Sequence, residues 1–161
     1  MGVGKSTIGK KLAKRLDYKF VDVDKIIEAE EVLSINSIFK SKGESYFRKI
    51  ENDITLSELK KERTVIALGG GAFLNSTIRR SAKKLSVSFW LDVPIHELIK
   101  RLKKSNQRPL LFKKNITDTV KKIYFDRKKT YNEADFKIKC SSLKSDQIVS
   151  RILNLYENAG N

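Results

Sequence analysis

The residues with the clearest chemical potential lie at the start of the chain, in the run MGVGKST. Gly4, Lys5 and Ser6 fill the last three fixed places of the pattern G-x-x-x-x-G-K-[ST]. Glycines let backbone N–H groups approach phosphate oxygens, and the amphipathic helix indicated after Ser6 adds the positive end of its dipole. The run predicts a phosphate-binding loop, with Lys5 on the β/γ-phosphates and the Ser6 hydroxyl on Mg²⁺. We assign Gly2 and Thr7 to the same nucleotide site.

Two carboxylates follow at the end of a short run that alternates apolar and polar residues. Residues 18–24 (YKFVDVD) predict a strand, and Asp22 and Asp24 share one direction along it. The carboxyl ends of parallel strands line the ligand crevice of an α/β sheet. Asp22 is therefore a candidate to hold a metal-bound water, and Asp24 to take a proton from an acceptor hydroxyl. The alternative is a pair of solvated acids, with Asp24 capping the next helix.

A second apolar strand is predicted over residues 64–68 (TVIAL), and it runs directly into three glycines. Gly69, Gly70 and Gly71 at the end of a buried parallel strand indicate a place where backbone approaches another group closely. A plain flexible turn is the alternative. In the preceding segment GESYFRKIE, Arg48 and Glu51 stand one helical turn apart, where physics alone predicts only a surface ion pair.

The remaining segments alternate between strand and helix patterns, which indicates one α/β domain over residues 1–161. Further strands are predicted over 86–92 and 136–140. Helices are predicted over 25–31, after Ser34, from residue 43 onwards, and over 76–85, 94–102, 116–131 and 146–156. The basic segment 103–116 leaves the helical pattern and is interpreted as a lid over the phosphates.

Composition excludes several classes of protein. The chain has 161 residues, of which 40% are hydrophobic and 33% charged, and its net charge is +15. Lysines outnumber arginines 25 to 9 and are spread over nearly every segment, and no nucleic-acid-binding motif is present, so we expect no nucleic-acid partner. One cysteine and one histidine make a Cys/His metal site implausible, and Cys140 fits a reducing cytoplasm. No apolar run is long enough to span a membrane.

Together the motifs resemble the shikimate kinase family over essentially the whole chain. The matching segments, in order, are MGVGKSTIGKKLA, FVDVD, GESYFRKIE, ALGGGA and RPLL, followed by the helix that contains Arg127. The resemblance implies a three-layer P-loop kinase fold, with a five-stranded parallel sheet flanked by helices. It also implies transfer of the γ-phosphate of MgATP to the 3-hydroxyl of shikimate, in the biosynthesis of chorismate and aromatic amino acids.

On the nucleotide side, the resemblance implies a role for five residues. Lys5 matches the phosphate-binding lysine, Ser6 the magnesium ligand, and Asp22 the acid that holds the metal through water. Arg108 matches the lid arginine that folds over ATP, and Arg101 matches the residue that stacks near adenine. Lys5 and Arg108 are thus expected to stabilise charge on the transferred phosphoryl group, as phosphoryl transfer requires.

On the acceptor side, the resemblance makes Asp24 the carboxylate on the shikimate hydroxyls and the base. Arg48 and Arg127 match the two arginines that bind the substrate carboxylate, and Glu51 supports Arg48. A planar, forked guanidinium suits a carboxylate better than lysine does. The glycine run, whose backbone contacts shikimate in the family, matches Gly69, Gly70 and Gly71.

The motifs and composition support three further expectations and leave two alternatives open. The first glycine of the loop pattern falls before Met1, so we expect a complete protein to have an N-terminal strand in the middle of the sheet, which is missing here. We also expect a monomer that acts on small molecules, in the cytoplasm.

A related kinase such as a gluconate-kinase-like enzyme would share the loop but phosphorylate another acceptor. A basic nucleotide or nucleic-acid binder without kinase activity is favoured only by the charge.

Overall fold

The structure, a computed structural model, describes residues 2–104 and 115–159. In these ranges α-helices alternate with short strands, and a single 3₁₀ turn (Ala72–Leu74) follows β2. The elements are α1 (Lys5–Leu16), β1 (Lys19–Asp22), α2 (Val23–Glu31), α3 (Ile35–Ser41), α4 (Gly43–Glu58), β2 (Thr64–Ala67), α5 (Ser76–Leu85), β3 (Phe89–Asp92), α6 (Ile95–Lys104), α7 (Ile116–Tyr131), β4 (Phe136–Lys139) and α8 (Ser145–Ala159).

The chain divides into two compact units. The first unit is Ser6–Ser88, and the second unit consists of the described residues of Met1–Lys5 and Phe89–Asn161. The expectation of a single domain over residues 1–161 stays a prediction.

The first unit is built on a parallel pair of strands. β1 lies beside β2, with Asp22 opposite Ala67 at the carboxyl end. α2, α3 and α4 pack around a core that consists of Val23, Ile27, Ile38 and Phe47. Because α2 follows β1 without a loop and α4 leads into β2, this core fixes where the ends of both strands and the start of α2 lie.

The second unit repeats the parallel arrangement. β3 lies beside β4, with Asp92 opposite Lys139 at the carboxyl end. α6 packs against α7, and α8 packs against β4. Trp90 on β3 and Ile138 on β4 are buried, with 8% and 3% of their surface exposed, so this pair of strands forms part of the core of the second unit.

All four predicted strands and all predicted helices are present, with some changes at their ends. The prediction that residues 18–24 form one strand is wrong at its end, because β1 stops at Asp22 and α2 begins at Val23. Val23 has no exposed surface, so the turn into helix places it in the core.

Polar side chains cap the starts of α3 and α5. Ser34 accepts a hydrogen bond from the N–H of Ser37 at 3.2 Å, and Asn75 accepts one from the N–H of Thr77 at 2.8 Å. In place of the five-stranded sheet implied by the family, the described residues contain four strands in two pairs.

Across residues 2–104 and 115–159, every helix is too short or too polar to cross a bilayer.

Val32, which ends α2, has a strained backbone. Its φ is 53° and its ψ 28°, in the left-handed region that costs an L-residue roughly 1–2 kcal/mol. With 87% of its surface exposed, the Val32 side chain gains too little from burial to offset this strain. Replacing Val32 by glycine is therefore expected to stabilise the fold by about 0.5–1 kcal/mol, after the entropy of glycine in the unfolded chain is included. The corresponding rise in Tm, measured by calorimetry, is about 1–4 °C.

The matched control for this change is Val32→Ala, which keeps a Cβ in the left-handed conformation and should gain less. A Tm that falls on Val32→Gly would show that the valine side chain stabilises the α2–α3 junction more than its backbone strain costs.

Candidate active site

The loop before α1 has the backbone that the glycines predict. Gly2 and Gly4 have φ values of 65° and 88°, which side chains with a Cβ rarely adopt. Lys5 is the first residue of α1, and Ser6 and Thr7 follow in its first turn with exposed side chains. The start of α1 therefore presents backbone N–H groups, a lysine and a hydroxyl together. These are the groups that bind phosphate in proteins.

Ser6 and Asp22 meet directly. The Ser6 hydroxyl donates to Oδ2 of Asp22 at 2.5 Å. Asp22 precedes α2 in an extended conformation, but its side chain makes no capping hydrogen bond, so the carboxylate is directed to Ser6. Two oxygens in contact form a donor set that suits Mg²⁺, which prefers oxygen ligands and retains waters and phosphate oxygens. No cluster of three or more His, Cys, Asp or Glu side chains suited to a metal occurs in the described residues, so an ion here would need those further oxygens.

Asp24 lies in the first turn of α2, half-buried, where the helix start favours a negative charge. It approaches the backbone of the glycine run so closely that a Cβ added at Gly69 would lie 2.6 Å from Oδ1 of Asp24. The same Cβ would lie 2.6 Å from Oε1 of Glu51. A side chain at Gly69 would therefore push both carboxylates out of place, which confirms that the run marks a close approach and is not a plain flexible turn.

Arg48 is held by two carboxylates on its own helix. Nη1 donates to Oε2 of Glu51 at 2.6 Å, while Nη2 and Nε donate to one oxygen of Glu44 at 3.1 and 3.2 Å. Glu51 has only 3% of its side chain exposed, whereas Glu44 has 67%. Partial burial disfavours the charge of Arg48, but the bonds to Glu51 and Glu44 raise its pKa above the ordinary value. The surface ion pair considered from sequence is wrong, because one partner is buried and anchors the guanidinium.

Gly71 completes this arrangement. A Cβ there would lie 2.5 Å from Nη1 of Arg48 and 2.8 Å from its Cζ, so the guanidinium rests against bare backbone. In the first unit, α1, β1, α2, α4 and the glycine run therefore bring together the following residues: Ser6, Asp22, Asp24, Arg48, Glu51, Gly69 and Gly71.

Two other predicted site residues lie in the second unit. Arg101, on α6, is 42% exposed and pairs with Glu97 at 3.0 Å. Arg127 lies on α7 and is half-buried. Arg108 and most of the lid segment 103–116 lie outside the described residues. Gly70, between the two tightly packed glycines, is half-buried.

Sequence reasoning missed one contact of this site. Glu44 stands one turn before Arg48 on α4 and binds the outer edge of the guanidinium. Its spacing on the helix is a signal that could have been used. The near-complete burial of Glu51, by contrast, depends on contacts distant in sequence and leaves no local signal.

Comparison with known proteins fits this geometry. The family profile described as shikimate kinase matches residues 1–157. A shikimate kinase from Persephonella marina is 42% identical over 95% of this chain and 92% of its own. The crystal structure of shikimate kinase from Aquifex aeolicus covers 99% of this chain and 93% of its own, with a TM-score of 0.83 and 34% identity. Shikimate kinase from Acinetobacter baumannii, solved in complex with shikimate, has a TM-score of 0.92 and 28% identity, over 99% of this chain and 89% of its own.

These matches extend over nearly the whole chain and confirm the α/β fold of a P-loop kinase. They also agree with the arrangement in the first unit, where Ser6 meets Asp22, and Asp24 and Arg48 lie against the glycine run. The chain belongs to the shikimate kinase family.

Proposed function

We propose that this enzyme transfers the γ-phosphoryl group of ATP to the 3-hydroxyl of shikimate, with Asp24 as the base. Asp24 accepts the hydroxyl proton as the hydroxyl oxygen attacks the γ-phosphorus, and ADP leaves. The arrangement supports this role, because Asp24 sits at a helix start beside the backbone of Gly69, within the same unit as Arg48. A carboxylate so placed can both orient an acceptor hydroxyl and take its proton.

On the nucleotide side, the loop residues Gly2 and Gly4 direct backbone N–H groups to the phosphates, and Thr7 extends this site. Lys5 neutralises charge on the β/γ-phosphates. Ser6 and Asp22 would hold Mg²⁺, Ser6 directly and Asp22 through water. When bound, the ion supplies charge neutralisation across the phosphate oxygens.

Further from the reacting atoms, we assign Arg101 to the adenine side of the nucleotide. Arg108, which lies outside the described residues, is proposed to close over the phosphates as part of the lid at 103–116. Its guanidinium would add a second positive charge beside that of Lys5.

On the acceptor side, Arg48 and Arg127 bind the carboxylate of shikimate, and the glycine run contributes backbone. Glu51 holds one nitrogen of Arg48 from the buried side. The outer edge, formed by Nε and Nη2, is shared with a single oxygen of exposed Glu44. The substrate carboxylate can take this edge by displacing Glu44 into solvent, which gives the bidentate geometry that arginine favours.

The approach of Asp24 and anchored Arg48 to Gly69 and Gly71 is the observation that carries this proposal. The test is ADP release with MgATP and a panel of acceptors that includes shikimate, quinate and gluconate. We expect turnover with shikimate far above the others. Preference for gluconate would indicate a gluconate-kinase-like enzyme. Salt-sensitive binding of DNA or RNA, with no acceptor-dependent ADP release, would indicate a nucleic-acid binder without kinase activity.

Gly71→Ala gives a test of the acceptor side that leaves every charge in place. The new Cβ would overlap Nη1 and Cζ of Arg48 at 2.5 and 2.8 Å, so the guanidinium must move. We expect the KM for shikimate to rise roughly three- to tenfold, with the KM for ATP unchanged, because a shift near 1 Å weakens a bidentate pair strongly. Steady-state kinetics with each substrate varied in turn measures this split.

The control for this change is Gly43→Ala on α4, whose Cβ would meet nothing within 4 Å although its backbone φ is 83°. Gly43→Ala should lower the free energy of unfolding and leave the KM for shikimate unchanged. If Gly71→Ala and the parent enzyme had equal KM values for shikimate, Arg48 would not be part of the acceptor site.

We further propose that the enzyme works in the cytoplasm as a monomer on small-molecule substrates, without nucleic acid or membrane. Cys140 supports a reducing compartment because it is a buried free thiol and the single cysteine of the chain. Light scattering during gel filtration measures the mass in solution, and a dimer mass would contradict the monomer.

A further inference from the structure

Helix α7 is joined to strand β3 by a hydrogen bond between side chains. The Tyr124 hydroxyl donates to Oδ1 of Asp92, the last residue of β3, at 2.9 Å. Burial and the Asp92 carboxylate both raise the pKa of Tyr124 above its ordinary value of 10.0. The hydroxyl therefore keeps its proton throughout the neutral pH range and acts as the donor.

Asp92 is itself fixed by the neighbouring strand. Its other oxygen, Oδ2, lies 3.0 Å from Nζ of Lys137 on β4, and only 15% of the Asp92 side chain is exposed. Nζ of Lys137 also lies 4.2 Å from the centre of the Trp90 ring, which keeps the ammonium in place. Asp92 is thus a rigid acceptor attached to the sheet, and a helix that binds it takes its position from the sheet.

A second contact joins the same helix to the same strand. The ring of Tyr131, the last residue of α7, meets Trp90 edge-on, with centroids 5.9 Å apart and planes at 65°. Trp90 is buried, so this contact is well packed. Arg127 lies between the two attachment points, one turn after Tyr124 and one turn before Tyr131.

We propose that Tyr124 is a positioning residue for Arg127, acting with Asp92 and the Trp90–Tyr131 contact to fix the helix that carries this arginine. The inference rests on the carboxylate-binding role proposed above for Arg127. A guanidinium on a long side chain binds a carboxylate bidentately only if its Cα is well placed, so loss of one attachment weakens substrate binding without touching the phosphoryl-transfer step.

The test is a double-mutant cycle of Tyr124→Phe and Arg127→Ala, measured by steady-state kinetics on the full chain. Tyr124→Phe removes only the hydroxyl. We expect it to raise the KM for shikimate roughly three- to tenfold, which is the net effect of one typical hydrogen bond, and to leave kcat and the KM for ATP within about twofold. In the Arg127→Ala background the same change should have no further effect on the KM for shikimate.

The cycle separates this inference from the function on which it rests. An unchanged KM for shikimate in Arg127→Ala would refute the role of Arg127 and the inference with it. If Arg127→Ala raises this KM but Tyr124→Phe does not, or if the two effects simply multiply, the role of Arg127 stands and the positioning role of Tyr124 is overturned.

Three further variants distinguish the positioning role from a merely structural effect. Tyr156→Phe removes a hydroxyl from α8, which carries none of the proposed site residues, and should leave both KM values unchanged. Asp92→Asn keeps an oxygen that can accept from Tyr124, so its KM for shikimate should lie between those of the parent and Asp92→Ala. If the KM for shikimate of Asp92→Asn were as high as that of Asp92→Ala, the hydrogen bond from Tyr124 would not be the contact that keeps this KM low.

Discussion

Asp24→Asn is expected to lower kcat by roughly 10²–10⁴ while ATP still binds, because asparagine keeps the shape of the carboxylate and cannot take a proton. Shape matters here, because Oδ1 of Asp24 lies so close to Gly69 that a Cβ at Gly69 would be only 2.6 Å from it. Phosphoryl transfer relies mainly on charge neutralisation and positioning, so a residual rate from Lys5 and the bound nucleotide should persist. Single-turnover kinetics, with ATP affinity measured separately, gives both quantities.

The matched control is Asp53→Asn, which makes the same chemical change at an exposed position of α4. It should leave kcat within about twofold, in line with the small effects of surface substitutions. A near-normal kcat in Asp24→Asn would assign the base to another group and leave Asp24 as a hydrogen-bonding residue only.

Arg48→Lys is expected to raise the KM for shikimate by about tenfold to a hundredfold, although the charge is kept. Lysine replaces the fork with a single point charge, and each lost charge-assisted hydrogen bond costs about 1.5–3 kcal/mol. The lysine can still neutralise Glu51, which is why this variant is preferable to alanine. Arg48→Ala would remove a positive charge from beside a buried carboxylate, so that a loss of binding could not be separated from a loss of stability. The KM for ATP should change less.

The control for this substitution is Arg80→Lys, at an exposed position of α5. It should leave both KM values unchanged. Shikimate methyl ester provides a second check, because it lacks the charge that Arg48 is proposed to bind. If the enzyme phosphorylated the ester as efficiently as the free acid, the proposed role of Arg48 in binding a carboxylate would be wrong.

Local pattern was enough to locate the elements and most of the first-unit site. The glycines at 69–71, the alternation before Asp22 and the caps at Ser34 and Asn75 all act through neighbouring backbone, so their signals are contained in a few residues. The prediction placed Asp24 at the end of a strand, whereas it lies in the first turn of α2. The apolar Val23 decides this, because it is buried in a core with Ile38 on α3 and Phe47 on α4, which no local window contains.

Contacts between distant segments could not be predicted. The approach of Gly71 to Arg48 depends on the packing of the 3₁₀ turn after β2 on α4, and the Tyr124–Asp92 bond joins residues 32 positions apart. Such pairs have no periodicity of their own. The ion pair of Arg48 was visible as a spacing, but only the fold shows that Glu51 is buried and Glu44 exposed.

The burial of Glu51 against Arg48 also constrains how this protein can change over generations. Loss of Arg48 alone removes the guanidinium from an almost fully buried carboxylate, at a cost of about 3–5 kcal/mol for a buried pair and less where, as here, the arginine reaches solvent. That is a large part of the roughly 5–15 kcal/mol by which a typical domain is stable. Loss of Glu51 alone leaves Arg48 paired with exposed Glu44 and costs less. A lineage that drifted to a neutral acceptor would therefore keep Arg48 for as long as it kept Glu51, even after the use of the arginine for substrate had ended.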